Sequence, residues 1–344
     1  MENKPRRSER LDATDYQTAR LVNSVLNLYY MQGVTQAEIA QRLELSTPKV
    51  NRLLKQARQQ GLVNIHIRTP FQHLFSLENR LKAIFGLTDV WVIPAVPDNS
   101  EAVIHTLGRA GAAYLLERVR DSDVIGISAG QAMLALVQAA LEVSRQFDVT
   151  VVPLVGGVQG VMTSDVNYLA TELATRLGGK AYQLHAPAFL DTREQRDALQ
   201  AMTPVREILD VARRATIALV GIGILDRETS RFVKFTALSA EEMDRIVQVD
   251  GGVGDIAAHV YNIDGRLCSP IADGRLVGLT LTELQRIPLI IGIAATAAKA
   301  LPLYGALRGH NLHALITDEA AAEGVIRLFE ADFQGERKLS PAKP

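Results

Sequence analysis

Residues 121–140 read DSDVIGISAGQAMLALVQAA. Val124 to Ile127 form a short apolar run, Gly126, Ser128 and Gly130 spell G-x-S-x-G, and from Gln131 onward apolar residues recur at helical spacing. Strand, sharp turn and helix follow one another within twenty residues. Two chemistries use such a turn. It is the nucleophile elbow of an α/β-hydrolase, where a serine oxygen is exposed. It is also an anion cradle, in which backbone N–H groups and the positive end of a helix converge on a phosphate.

Outward from this stretch the same alternation covers residues 88–332. DVWVIPAV, DVIGIS, VTVVPLVGG, ATIALVGIGIL, LIIGIAA and ALITDEA are strand candidates, with helical stretches such as Ala102 to Val119 and Tyr168 to Leu177 between them. Several strands are rich in Val and Ile without polar alternation, as strands buried on both faces should be. The pattern predicts an α/β domain: a Rossmann-like parallel sheet with helices on both sides. Ligands of such sheets bind beyond the carboxyl ends of the strands.

Glycines cluster at those ends. Ser128, Gly130 and Gln131 follow one strand, Gly156 and Gly157 in VGGVQG another, and Gly221 in GIGIL a third. Glycine there lets backbone approach a ligand closely. No G-x-G-x-x-G and no G-x-x-x-x-G-K-[ST] occurs, so nucleotide motifs are missing. Asp255 in GGVGDIAAHVYNIDG either accepts hydrogen bonds from sugar hydroxyls or caps a helix. Lys299 in IIGIAATAAKA either pairs with a phosphate or is a solvated helix charge. Asp318 reads as an N-cap. For Ser128 to act as nucleophile, His259, His310 or His313 would have to be its base. An esterase would leave the N-terminal region without a purpose, so no catalytic residue is assigned.

Residues from about 16 to 61 look helical. TARLVNSVLNLYYMQG carries apolar residues at helical spacing up to Gly33. TQAEIAQRLEL opens on Thr35 and Glu38, a capping box, with Ala37, Ile39, Ala40 and Leu43 inward. STPKVNRLLKQARQQG opens on Ser46 with Pro48 in its first turn and buries Val50, Leu53, Leu54 and Ala57. Two short helices joined by a tight turn, the second basic outside, describe a helix-turn-helix. Thr47, Lys49, Asn51, Arg52 and Lys55, with Thr35 and Gln36 at the preceding helix start, are the candidate contacts to double-stranded DNA. Charge agrees: residues 1–60 hold 10 Lys and Arg against 6 Asp and Glu, the rest 27 against 32.

Composition excludes several classes. Of 344 residues 47% are hydrophobic and 22% charged, as in ordinary globular proteins. One cysteine, Cys268, permits neither an intrachain disulfide nor a thiolate metal cluster and favours a reducing, cytoplasmic setting. Neither metal nor cofactor is expected. The N-terminal stretch lacks an apolar core and is no signal peptide. The most membrane-like window, Ile287 to Leu307, is interrupted by Lys299 and Pro302.

GVTQAEIAQRLELSTPKVNRLLKQARQQGLVNIHI resembles the DNA-binding head of the SorC family of sugar-responsive transcriptional regulators, and the likeness runs from about residue 18 to 330. It implies an effector domain similar to sugar-phosphate isomerases, a phosphorylated sugar as effector, and a homotetramer on operator DNA. By motif match it makes Ser128, Gly130 and Gln131 a phosphate loop, Gly156, Gly157 and Gly221 loop walls, and Asp255 and Lys299 polar anchors. The chain departs from the family where Ala294, Ala295 and Thr296 replace a glycine-rich run before Lys299. The expected organisation is a polar arm (1–15), a helix-turn-helix domain (16–68) ending in a strand or wing at Leu62–Thr69, a linker helix (69–87), an effector domain (88–332) and a tail (333–344). The rival classes are an enzyme, either isomerase- or deaminase-like or a hydrolase using Ser128, and a DNA-bound scaffold whose body takes no ligand.

Overall fold

The computed structural model of the chain describes residues 13–63, 69–96, 100–140, 145–157, 164–225 and 238–339. The arm before residue 13 and most of the strand expected at Leu62–Thr69 lie outside them. The chain divides into two compact units, Met1–Pro70 and Phe71–Pro344.

In the first unit α1 (Ala13–Leu26) continues as a π-helical turn, Asn27–Met31, followed by α2 (Gln36–Arg42) and α3 (Thr47–Gln59). Val25, Ile39, Ala40, Val50 and Leu54 form its core. The capping box is present: Thr35 Oγ1 accepts the Glu38 N–H at 3.3 Å and Glu38 Oε2 accepts the Thr35 N–H at 3.1 Å. Ser46 caps α3, with Pro48 in its first turn. Ala37 is exposed rather than inward. The turn is a Schellman motif. The Leu45 N–H reaches the Ala40 carbonyl at 2.8 Å, which requires the intervening Glu44 to adopt φ 54°, a position where glycine is usual.

The second unit opens with α4 (Gln72–Phe85), then β1 (Asp89–Ile93), α5 (Ser100–Arg118), β2 (Val124–Ile127), α6 (Gln131–Ala139), β3 (Thr150–Pro153), α7 (Val166–Leu177) and β4 (Lys180–Ala181). It continues with α8 (Arg193–Ala201), α9 (Thr203–Ala212), β5 (Ile217–Ile224), α10 (Ala240–Asp244), β6 (Gly252–Ile256), β7 (His259–Asn262), α11 (Pro270–Arg275) and α12 (Leu281–Leu284). It closes with β8 (Leu289–Ile293), α13 (Ala300–Arg308), β9 (Ala314–Asp318) and α14 (Glu319–Leu339). The parallel strands run in the order β1-β9-β8-β5-β2-β3-β4.

Strand alternation distributes side chains between two cores. In β5, Ile217 and Leu219 enter the core shared with α5, α6 and α7, while Ala218 and Val220 enter the core shared with α4, α9 and α13. That is why these strands read as unbroken apolar runs.

Two expectations change here, and one open alternative closes. The helix expected as a linker belongs to the second unit, because Leu74, Leu81 and Phe85 fall on one helical face and bury in its core; Phe75 remains 44% exposed. The last helix extends to Leu339, beyond the expected start of the tail. The stretch after Asp255 forms no helix: β6 and β7 pair antiparallel through the two-residue turn Ala257–Ala258, and β6 pairs with the end of β5. Both turn residues have positive φ, 46° and 66°, where Asn-Gly is the common signature. Two alanines gave no sign of a hairpin.

Candidate functional site

From β2 the chain moves to β3 on one side, and from β5 to β8 on the other, so the loops leaving these two adjacent strands part and open a crevice. A cavity of about 390 Å³ occupies it. Seven of the eight residues expected in the effector site line this cavity: Ser128, Gly130, Gln131, Gly156, Gly221, Asp255 and Lys299. Gly157 does not. It crosses tightly against the neighbouring loop, its N–H bonded to the Ala186 carbonyl at 2.8 Å, and an added Cβ would meet Asp165 Oδ2 at 2.9 Å.

Ser128 is 3% exposed and its Oγ accepts the Gly221 N–H at 3.2 Å. The hydroxyl therefore ties the end of β2 to β5. Gly130 is the N-cap of α6 with φ 127° and ψ 172°. A residue without a side chain at this position leaves the approach to the helix N-terminus uncovered, and nothing lies within 4 Å of where its Cβ would be.

Asp255 lies on β6, opposite Gly223 of β5. A side chain at 223 would collide with the Asp255 carboxylate, so this glycine is what lets the carboxylate lie across the strand end. Asp255 is thus no helix cap. Removal from bulk water pushes its carboxyl up to about 6, against the opposing pull of the Lys299 charge and the Ala258 N–H. Lys299 is not a solvated helix charge either. Its Nζ donates to the Ile222 carbonyl at 2.6 Å, and burial holds its pKa below the usual lysine value while Asp255 acts the other way. Asp318 is the N-cap expected: its Oδ1 accepts the Ala321 N–H at 3.1 Å in the first turn of α14, and also the Thr296 N–H at 2.9 Å.

The remaining wall is largely apolar, with Ser164, Asp165 and Thr296 as its further polar members, and was not foreseen. Ile104 and Leu107 come from α5, with Val155, Phe189, Ile222 and Ile293 from strand ends and loops. Such residues look like core in a sequence; only the topology reveals that their tips face a cavity. The combination of one ammonium, two carboxylates (Asp255, and Asp165, whose Oδ1 accepts the Asn167 N–H at 2.9 Å), an uncovered helix start and largely apolar walls suits a small ligand with an anionic end and a hydroxylated body. No histidine borders the cavity among the described residues, whose lining supplies Ser128 with no imidazole base. No group of three or more His, Cys, Asp or Glu among the described residues is arranged to hold a metal ion.

In the first unit, Thr47, Pro48, Asn51, Arg52 and Lys55 border one open surface groove along α3. Lys49 is exposed beside them, as is Thr35 at the start of α2, where Gln36 is half-buried. Arg58 is engaged internally: its Nε donates to the Tyr30 hydroxyl at 2.6 Å. No helix among the described residues is long and apolar enough to cross a membrane.

The Sugar-bind family, a sugar-binding domain, matches residues 69–327, and Sigma-70 region 4 matches residues 21–60. The sorbitol operon regulator of Klebsiella pneumoniae is 30% identical over 311 residues, covering 90% of this chain and 98% of the relative. The chain belongs to the SorC family of sugar-binding transcriptional regulators. Another relative, the deoxyribonucleoside regulator of Bacillus subtilis, is 28% identical and covers 91% of this chain and 99% of its own length. The crystal structure of full-length SorC from Klebsiella pneumoniae superposes with a TM-score of 0.70 at 30% identity, covering 90% of this chain and 99% of that one. As a SorC-family member the chain combines a helical, helix-turn-helix N-terminal region with a parallel-sheet α/β sugar-binding domain.

Proposed function

We propose that this chain is a ligand-responsive transcriptional regulator whose effector is a phosphorylated sugar or polyol, bound at the strand-end cavity, and whose operator is contacted by α2 and α3. The observation that carries this is the convergence of Lys299, Asp255 and the uncovered start of α6 on one cavity, in a chain that also presents an exposed basic recognition helix. In this reading the phosphate sits at Gly130 and Gln131 with Lys299 as its counter-charge, and the sugar hydroxyls donate to Asp255. The DNA contacts are Thr35, Gln36, Thr47, Lys49, Asn51, Arg52 and Lys55, acting in a cytoplasmic homotetramer. No catalytic step is assigned.

Switching is a matter of linkage. An effector alters operator affinity only through different affinities for the DNA-competent and DNA-incompetent arrangements of the oligomer. Named for sorbitol in one case and deoxyribonucleosides in the other, the relatives point to phosphorylated hexitols and pentoses as the first compounds to try. The test is operator binding, measured by fluorescence anisotropy, with and without each compound. A shift of at least several-fold in operator Kd with one of them supports the proposal. Calorimetric binding with unchanged operator affinity, or turnover of the compound, overturns it.

A further inference from the structure

Six non-glycine residues among those described adopt positive φ, and three of them, Ala257, Ala258 and Thr296, line the same cavity. Strain of this kind persists only where surrounding structure over-determines it, and it gathers at ligand clamps. Thr296 is the extreme case. It sits at φ 87° and ψ 149°, and a β-branched side chain is the poorest choice for that backbone. Glycine would adopt it without penalty.

The backbone of Thr296 is pinned from both ends. Its N–H donates to Asp318 Oδ1 at 2.9 Å and its carbonyl accepts the Lys299 N–H at 2.9 Å. These two bonds fix the turn that carries Lys299 out of β8, whichever residue stands at 296. The threonine side chain takes no part in them. It borders the cavity, half-buried, and among the described residues its hydroxyl has no hydrogen-bond partner. A strained residue whose side chain does nothing for the fold, placed on a ligand wall three positions before the lysine, calls for a role in binding.

We propose that Thr296 is a selectivity residue of this cavity, its hydroxyl accepting or donating a hydrogen bond with the effector and its methyl limiting the space beside Lys299. The inference rests on the cavity being the effector site. It predicts opposite signs for stability and binding at a single position. Removing the side chain relaxes the fold and loosens the ligand.

The experiment uses the full-length protein with Thr296→Gly and Thr296→Val. Thermal melts are run without ligand, and calorimetric titrations with glucose 6-phosphate, ribose 5-phosphate, sorbitol 6-phosphate and inorganic phosphate. Thr296→Gly is expected to raise the ligand-free melting temperature by about 2–4 °C and to weaken the best sugar phosphate about ten-fold. Thr296→Val keeps shape and strain but lacks the hydroxyl; it is expected to weaken the same compound several-fold and to change the order of preference among the sugar phosphates. A purely structural role would alter the melts without changing that order. If the wild type binds a sugar phosphate and both variants bind the set with unchanged ratios, the role of Thr296 falls while the effector site stands. If no probe binds the wild type, the effector site falls, and the inference with it.

Discussion

Ser128 Oγ accepts the backbone N–H of Gly221 at 3.2 Å, joining the carboxyl end of β2 to the point on β5 where its parallel pairing with β8 ends. The serine of the G-x-S-x-G turn is a buried tether rather than an exposed nucleophile. Ser128→Ala removes the acceptor and leaves the Gly221 N–H without this partner. Destabilisation of about 1–3 kcal/mol is expected, read from chemical denaturation of the wild type and variant.

Gly223 makes room for the Asp255 carboxylate. In Gly223→Ala the added methyl would displace that carboxylate from the strand end. Effector affinity should fall by about ten-fold or more, whereas operator binding without effector should persist. Parallel calorimetry and anisotropy measure the two arms.

Asp255 titrates near 6 instead of 3.8. The folded chain thus retains a proton that the unfolded chain releases earlier. This contribution to stability is complete below about pH 4 and is lost as pH rises through about 6. Asp255→Asn should flatten that part of the stability profile, measured by urea midpoints across the range. Wild-type effector affinity should rise over the same interval, since the ionised carboxylate accepts more hydroxyl donors, and the asparagine variant separates this rise from titration of the ligand phosphate.

Arg52 and Lys55 lie on the same exposed groove of α3. Arg52→Ala should cost about 1–3 kcal/mol of operator binding and relax preference at one base position. Lys55→Ala should weaken all sequences alike and lower the salt slope by about one. Binding titrations at several salt concentrations distinguish them.

Glu44 occupies the left-handed position of the helix-turn-helix turn at φ 54°, with its side chain exposed. Glu44→Gly should stabilise the first unit by roughly 0.5–1 kcal/mol, because glycine enters that region without the Cβ clash. Hydrogen exchange of the Ile39 and Leu54 amides would record the gain as slower opening.

The parts legible in the sequence were those governed by local rules. Thr35 with Glu38, and Ser46 with Pro48, announced both helix starts, and double-sided burial made β2, β5, β8 and β9 readable as apolar runs. Lys299 and Gly130 were reachable for the same reason: each stands just past such a run. What stayed hidden depends on tertiary placement. The Ala257–Ala258 hairpin lacks turn residues, so the sequence leaves Asp255 open between a sugar contact and a helix cap, and the pairing of β6 with β5 removes the second. Gly157 looked equivalent to Gly156, yet only one faces the cavity. The apolar spacing of α4 fitted a linker as well as a core helix, and the burial of Leu81 and Phe85 decides between them.

β5 serves two sheets in succession. Ile217 to Gly221 bond in parallel to β8, and Ile222 to Ile224 bond antiparallel to β6. The hairpin tip that walls the cavity is therefore a lever rooted in the middle strand of the molecule. Whatever wedges against that tip presses on β6, a strand hydrogen-bonded directly to the central one.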